Sequence, residues 1–285
     1  MFKKSIIVLI GIAVLLFASF HGVKGWLKSL LPDKAHYQAI KQTQTTDLQY
    51  VMRDRPEHRG KILAVVTSVD TMGEDKSTGY EHTELARAYY VFVANGFEVD
   101  IASPKGGRPP VVYDDEDMGR YDYAFLNDRS IQKKVDNSIL LADVNPDDYE
   151  AVYFVGGKGT MFDFPDNIDI QRITKSLYQR DKVVSAVCHG PAALINVTLD
   201  NGDRLLKNKK ISGFTNQEEL TLIPDAKEIF PFLLEDKLIE QGAKFQPGMN
   251  YLEQVSQDGK LITGQNPWSV WRMAEMVIAE LGYQP

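Results

Sequence analysis

Short apolar runs alternate with amphipathic segments along most of the chain. Residues 61–68 (KILAVVTS) are rich in β-branched side chains and almost continuously apolar, which is typical of a strand buried on both faces. After a polar loop, residues 81–95 carry apolar side chains at helical spacing, and Gly96 ends this pattern. Residues 97–103 form the next predicted strand. Strand, helix and strand in this order predict a βαβ unit within a parallel sheet.

The same alternation returns after residue 150. It predicts strands at residues 151–155, 182–187, 209–213 and 260–264, and helices at residues 168–180, from about 190, at 231–241 and at 267–281. The pattern predicts an α/β fold with a doubly wound, mostly parallel sheet flanked by helices, as in flavodoxin-like proteins. Ligand sites in such sheets lie at the carboxyl ends of the strands.

The segment at about residues 105–150 interrupts this regularity. Residues 114–150 contain eleven acidic and four basic side chains. This excess of acidic residues equals the net charge of −7 of the whole chain. Because a long irregular insertion in a compact domain is usually functional, we expect an acidic cap over the site. A solvated acidic excursion is the alternative.

The first 33 residues form a separate apolar N-terminal segment. Residues 5–20 contain no charge, and Trp26 follows at a position suited to a membrane interface. Small residues suited to signal cleavage are poorly placed in this segment. A single membrane anchor with an extracytoplasmic domain is therefore favoured, and the alternative is a cleaved signal of a secreted or periplasmic protein. Residues 34–60 are polar and predict a tether, which leaves residues 61–285 as the α/β domain.

Composition narrows the possible functions. The 285 residues are 44% apolar and 25% charged, as in an ordinary globular protein. The acidic net charge disfavours nucleic acid as a partner, because a phosphate backbone requires a cationic surface. A single cysteine excludes an intrachain disulfide. No metal-ligand spacing and no phosphate-binding loop is present, so neither a metal nor a cofactor is expected.

The most informative local pattern surrounds the single cysteine. The predicted strand 182–187 leads directly into Cys188, and Gly190 and two alanines follow His189. This order resembles the strand, sharp turn and helix that expose a nucleophile in G-x-S-x-G enzymes. Amides at a helix N-terminus lower the pKa of a thiol, so a reactive thiolate is expected. A buried cysteine of the core is the alternative.

Paired glycines follow an earlier strand. Gly156 and Gly157 come directly after residues 151–155, where their N–H groups could approach a substrate oxygen. Together with the N–H of His189 they predict an oxyanion hole. A simple turn is the alternative for an isolated glycine pair.

Several motifs together resemble the ThiJ/PfpI superfamily, which has the class I glutamine amidotransferase-like fold, and within it the glyoxalase III and heat-shock chaperone branch. In the family's order these are SPKGGRPP, DVNPDDYEAVYFVGGKGTMFDFPD, AVCHGPAAL, ISGFTNQEE, FLLEDKL and LITGQNP. They extend over about residues 61–285, and the N-terminal segment is not part of the resemblance.

The resemblance implies a set of four catalytic residues. Cys188 matches the nucleophile and His189 the adjacent base. Glu84 matches a glutamate that hydrogen-bonds the sulfur, and Glu219 matches the acid that orients His189, with Glu218 as the alternative. Taken alone, Glu84 and Glu219 would be ordinary helix acids. Homodimers are common in the superfamily, so a homodimer is expected.

Two departures from the family affect the expected substrate. Lys158 stands where the family usually has histidine, and residues 249–257 replace a stretch that usually contains Pro-Trp and a histidine. A third feature excludes one relative: no histidine follows His189, whereas a glutaminase of this fold needs a later His and Glu.

The resemblance implies a glutathione-independent glyoxalase III-type enzyme, of the D-lactate dehydratase type. It would convert small 2-oxoaldehydes such as methylglyoxal to 2-hydroxy acids. Deglycase and minor peptidase activities would use the same residues. The alternative is a membrane-associated stress chaperone or redox sensor with Cys188 as an oxidisable thiol, and a weaker one is a degenerate member used for assembly.

Overall fold

The computed structural model describes residues 34–53 and 56–285. Its chain divides into two compact units, Met1–Gln42 and Thr43–Pro285. The described part of the first unit contains helix α1, Lys34–Lys41. All other described helices and strands belong to the second unit.

A seven-stranded sheet forms the centre of the second unit. Its strands are β1 (Lys61–Val65), β5 (Glu98–Ser103), β7 (Ile139–Leu140), β8 (Ala151–Phe154), β9 (Val183–Val187), β12 (Val255–Asp258) and β13 (Leu261–Gly264). They lie in the order β12-β13-β9-β8-β1-β5-β7. All neighbouring strands are parallel except β12, which is antiparallel to β13. The predicted doubly wound, mostly parallel α/β fold is confirmed.

The central strands explain why the apolar runs of the sequence are continuous. All residues of β8 and β9 are buried, and only Lys61 of β1 is partly exposed. A strand covered on both faces cannot alternate polar and apolar residues. The carboxyl ends of these neighbouring strands therefore meet at one edge of the sheet, where Cys188 and Gly156 lie.

Helices pack around this sheet. They are α2 (Gln49–Met52), α3 (His82–Ala94), α4 (Arg120–Asn127), α5 (Arg129–Asp136), α6 (Thr160–Asp163), α7 (Ile168–Gln179), α8 (Asn216–Leu222), α9 (Ala226–Ile229), α10 (Leu234–Glu240) and α11 (Val270–Glu280). Helix α3 contacts α11 and α4, and nearly all of its residues are buried. It holds Glu84 rigidly in its first turn.

Three two-stranded sheets complete the unit. They pair β2 (Thr71–Met72) with β3 (Lys76–Ser77), β4 (Tyr80–Glu81) with β6 (Val111–Val112), and β10 (Lys210–Ile211) with β11 (Lys244–Phe245). The strand predicted at residues 209–213 is therefore β10 and lies outside the main sheet. The helix predicted after Cys188 is only a 3₁₀ turn, Gly190–Leu194.

The insertion at residues 105–150 is more regular than its sequence indicates. It contains α4, α5 and β6, and β7 extends the edge of the main sheet next to β5. Two of its acids, Asp117 and Asp122, form ion pairs with Arg87 of α3, whose side chain is buried. The prediction of an irregular stretch is wrong, because short helices rich in polar residues give little periodicity.

The segment predicted as a tether, residues 34–60, contains α1, a 3₁₀ turn at Thr45–Asp47 and α2. Leu48 and Val51 are buried, and α2 packs against α3. The chain from Thr43 onward is thus part of the second unit.

The predicted membrane localisation is corrected. Within residues 34–53 and 56–285, no helix combines the length and the apolar character that crossing a bilayer requires. The segment from which an anchor or a signal was predicted, residues 1–33, lies outside the described residues.

Candidate active site

Cys188 occupies a sharp turn directly after β9. Its φ is +56°, a conformation that is costly for a residue other than glycine and that clusters at functional sites. Two backbone hydrogen bonds hold it: its N–H donates to the Gly264 carbonyl at 3.0 Å, and its carbonyl accepts from Phe214 at 2.9 Å. A Cβ at Gly190 would lie 2.3 Å from the Phe154 carbonyl oxygen, so this position requires glycine. The predicted strand-to-turn geometry around the thiol is present.

A chain of polar contacts leads from the sulfur. Sγ of Cys188 lies 3.2 Å from Nδ1 of His189, and Nε2 of His189 lies 2.5 Å from Oε2 of Glu219. The imidazole is nearly fully buried and packs against the ring of Phe214 at a centroid distance of 4.7 Å. The structure thus brings together a thiol, an imidazole and a carboxylate in the order that nucleophilic catalysis requires.

Helix α8 explains which of the two neighbouring glutamates faces the imidazole. Glu218 completes a capping box with Thr215, and its other carboxylate oxygen accepts hydrogen bonds from Tyr251 N–H and Asn266. Glu219, the next residue in the first turn, points to His189. Glu218, the alternative that the sequence left open, therefore does not contact the imidazole and instead ties α8 to the later segments that carry Tyr251 and Asn266.

Glu84 approaches the sulfur from the first turn of α3. Its side chain is completely buried, and its carboxyl group interacts with the Cys188 thiol. Oε2 accepts a hydrogen bond from the Gly156 N–H at 2.7 Å. A Cβ at Gly156 would lie 2.5 Å from this oxygen and 2.8 Å from Cβ of Cys188, so only glycine allows the three residues to meet.

The expectation for the glycine pair changes accordingly. The N–H of Gly156 is bonded to Glu84, so Gly156 positions that carboxyl group and does not face a substrate. The N–H groups of Gly157 and His189, by contrast, make no hydrogen bond with any other described residue. They remain available for the oxyanion that the sequence predicts.

Burial controls the protonation of the thiol and of Glu84. It raises the pKa of Cys188 well above its usual value, with a further contribution from the Glu84 carboxylate, while Lys158 opposes both effects. Burial also raises the pKa of Glu84, which favours the neutral acid. The lowered thiol pKa predicted from the sequence is therefore wrong for the site without substrate, where both groups hold their protons.

The acid on the other side of His189 behaves differently. Burial acts to raise the pKa of Glu219, but the charge of His189, the hydrogen bond between them and the charge of Lys158 outweigh it, so this pKa is lowered. Glu219 is therefore ionised at neutral pH. An ionised Glu219 accepts the Nε2–H of the imidazole, which leaves Nδ1 free to accept a proton from the sulfur.

A cavity of about 430 Å³ opens next to Glu84. Its polar lining consists of Glu81, Glu84, Asp114 and Lys158. Burial raises the pKa of Glu81 to about 7, against an opposing effect of Lys158. Asp114 belongs to the acidic insertion, so this segment contributes to the cavity. No sequence pattern singled out Glu81, which resembles any acid at a helix start.

The rest of the cavity wall is apolar. Phe214, Leu222, Tyr251, Pro267 and Trp268 form it. Tyr251 lies within the stretch 249–257 that departs from the family pattern.

No group of three or more His, Cys, Asp or Glu side chains that could hold a metal ion occurs among residues 34–53 and 56–285. A homodimer stays a prediction.

Residues 76–280 match the DJ-1/PfpI family, which is 72% of the chain counted over its 285 residues. The chain belongs to this family. The resemblance stated from the motifs is confirmed, and the matched region contains all four residues of the site.

Relatives within the family are similar over most of their length. Glyoxalase 3 of Candida albicans is 32% identical over 233 residues, covering 77% of this chain and 97% of that protein. The glutathione-independent glyoxalase HSP31 of Saccharomyces cerevisiae is 32% identical over 224 residues, covering 73% and 92%. The X-ray structure of the rapid encystment protein of 24 kDa from Francisella tularensis has a TM-score of 0.74 and 37% identity, covering 78% and 99%. These likenesses support an enzyme of the DJ-1/PfpI type.

Proposed function

We propose that the chain is a cysteine-dependent, glutathione-independent glyoxalase that converts 2-oxoaldehydes such as methylglyoxal to 2-hydroxy acids. The observation that carries this proposal is the continuous set of contacts from Glu84 to Cys188, His189 and Glu219, next to a cavity that Glu84 lines. Two relatives at 32% identity are glyoxalases by name, which supports the same activity.

The first step is addition of the sulfur to the aldehyde carbon. Nδ1 of His189 takes the thiol proton as the carbon–sulfur bond forms, and the ionised Glu219 stabilises the imidazolium. The aldehyde oxygen becomes an oxyanion, which the N–H groups of Gly157 and His189 bind. Return of the proton from His189 to this oxygen gives a neutral hemithioacetal.

The second step moves hydrogen between the two carbons. His189 removes the hydrogen of the former aldehyde carbon as a proton, the electron pair passes through an enediol, and the neighbouring carbon is protonated. The product is a thioester of the 2-hydroxy acid. Water then attacks the thioester carbonyl and the thiol leaves with a proton. One water is consumed overall, and no oxidant or reductant is needed.

The test is lactate formation from methylglyoxal by purified protein in a buffer without thiols or primary amines. We expect lactate to appear in equal amount to the aldehyde consumed, and Cys188→Ala to abolish it. Lys227→Met serves as a control, because Lys227 is exposed on α9. Equal loss rates of methylglyoxal with the parent protein and Cys188→Ala would overturn the proposal.

Deglycase activity on aldehyde adducts of amines or thiols would use the same nucleophile and base. Adding a preformed adduct to the same assay separates the two activities. Faster release of hydroxy acid from the adduct than from the free aldehyde would assign the site to repair of glycated groups.

A further inference from the structure

The cavity beside Glu84 is larger than methylglyoxal needs. A volume of about 430 Å³ falls within the range of roughly 300–1,000 Å³ typical of sites for drug-sized ligands. Methylglyoxal carries a single methyl group beside its two carbonyls. It would leave most of this cavity filled with water against apolar side chains.

Two large side chains of the apolar wall are left partly uncovered. Trp268 is 41% exposed, and its ring meets that of Tyr251 edge to face at a centroid distance of 5.8 Å. Leu222, at the end of α8, is 55% exposed and faces the same cavity. Large apolar side chains left open around a concave site are typical of ligand binding.

Two of the polar lining residues mark the reacting end of the cavity. The carboxyl group of Glu84 interacts with the Cys188 thiol, and Lys158 follows directly after Gly157, whose N–H is available for an oxyanion. The two carbonyl groups of a substrate therefore belong at this end. A substituent on the ketone carbon would then extend towards Trp268 and Leu222.

We infer that the preferred substrates are 2-oxoaldehydes whose ketone carbon carries an apolar substituent of about the size of a phenyl ring, held by Trp268, Leu222 and Tyr251. This inference rests on the proposed glyoxalase function and names its substrate class. The chemistry is unchanged, because the substituent takes no part in the bonds that form and break. The gain comes from apolar surface removed from water.

The experiment compares phenylglyoxal with methylglyoxal. The two aldehydes differ in intrinsic reactivity, so the decisive quantity is the change in the ratio of their kcat/KM values between variants. We expect Trp268→Ala and Leu222→Ala to lower this ratio at least tenfold and threefold, respectively. Met249→Ala is the matched control, because Met249 is 72% exposed but does not line the cavity. The control should leave both values unchanged.

A second measurement does not depend on turnover. Mandelate and lactate are the products of the two aldehydes, and their binding to Cys188→Ala can be measured by calorimetry. We expect mandelate to bind at least tenfold more tightly than lactate, and Trp268→Ala in the same background to remove most of this difference.

The outcomes separate the inference from the proposed function. An unchanged kcat/KM ratio in Trp268→Ala, with methylglyoxal still consumed through Cys188, would overturn the inference and leave the function standing. Absence of any Cys188-dependent turnover would overturn the proposed function. The comparison of mandelate and lactate binding would then still test whether the cavity prefers an apolar substituent. Equal affinities for mandelate and lactate would show that the apolar wall serves another occupant, such as a second protein chain, and would overturn the inference.

Discussion

Replacing Lys158 by methionine tests the electrostatics of the site most directly. Lys158 lines the cavity next to Glu84, and its positive charge lowers the pKa of Cys188, Glu81 and Glu219. No carboxylate within the described part of the chain forms an ion pair with it. Its charge therefore acts on the anions of the site without being neutralised by a partner.

The size of the effect follows from this position. An opposite charge within about 4–6 Å changes a pKa by roughly 1–3 units. Lys158 is half-buried and thus partly screened by water, so we expect the lower end. Without the ammonium, the pKa of Cys188 should rise. We expect an approximately tenfold smaller thiolate fraction at a given pH, which corresponds to about 1.4 kcal/mol.

The assay is the rate of alkylation by iodoacetamide as a function of pH. Cys188 is the single cysteine of the chain, so all alkylation reports on this sulfur. The midpoint should move to higher pH in Lys158→Met and return in Lys158→Arg, which keeps the charge. Lys227→Met accounts for the change in total charge. An unchanged midpoint in a folded Lys158→Met protein would refute the electrostatic argument.

Three further changes test other parts of the site. Glu219→Gln should lower kcat for methylglyoxal about 100-fold or more with little change in KM, because the imidazole loses its anionic partner. Its control is Glu228→Gln, a change at an exposed glutamate that should have no effect. Glu81→Gln should remove a pH dependence of stability that urea titrations can detect. The folded-state pKa of Glu81, about 7, lies above the usual 4.5, so the parent protein loses up to about 3 kcal/mol of unfolding free energy as pH rises from 4.5 to 7. Gly156→Ala should abolish turnover and destabilise the fold by about 1–3 kcal/mol, because the added methyl group would lie 2.5 Å from a carboxylate oxygen of Glu84. Gly119→Ala is its control, because the nearest atom to an added methyl group there is 3.8 Å away.

The sequence located the nucleophile because its signal is local. An apolar strand followed by Cys188, His189 and Gly190 has the pattern of a turn that presents a side chain at a sheet edge. Glu84 and Glu219 carry no such signal, since each is one acid in the first turn of a helix. They were found through the family resemblance, and the structure brings both to the thiol and its imidazole.

Burial is the property that the sequence did not reveal. The short strand-to-helix turn predicted a lowered thiol pKa, but only a 3₁₀ turn follows Cys188, and Glu84 is packed against the sulfur. Lys158 and Glu81 lie far apart in the chain and meet only at the cavity. The helices of the acidic insertion were missed for a related reason: Asp122 is buried against Arg87, and a buried acid in a short helix weakens the apolar pattern that predicts one.

The raised thiol pKa also bears on the alternative of a redox sensor. Oxidation of a cysteine to sulfenic acid starts from an accessible thiolate. Cys188 is only 5% exposed, and burial together with Glu84 favours its neutral form, so the resting site meets neither condition. In the proposed reaction an aldehyde would change both the surroundings and the charge balance: it would occupy part of the cavity, and the negative charge would pass from sulfur to an oxygen that the N–H groups of Gly157 and His189 can bind. His189 would take the thiol proton only as this oxygen accepts the charge. The geometry therefore favours a thiol activated by its carbonyl substrate over one that responds to oxidants in solution.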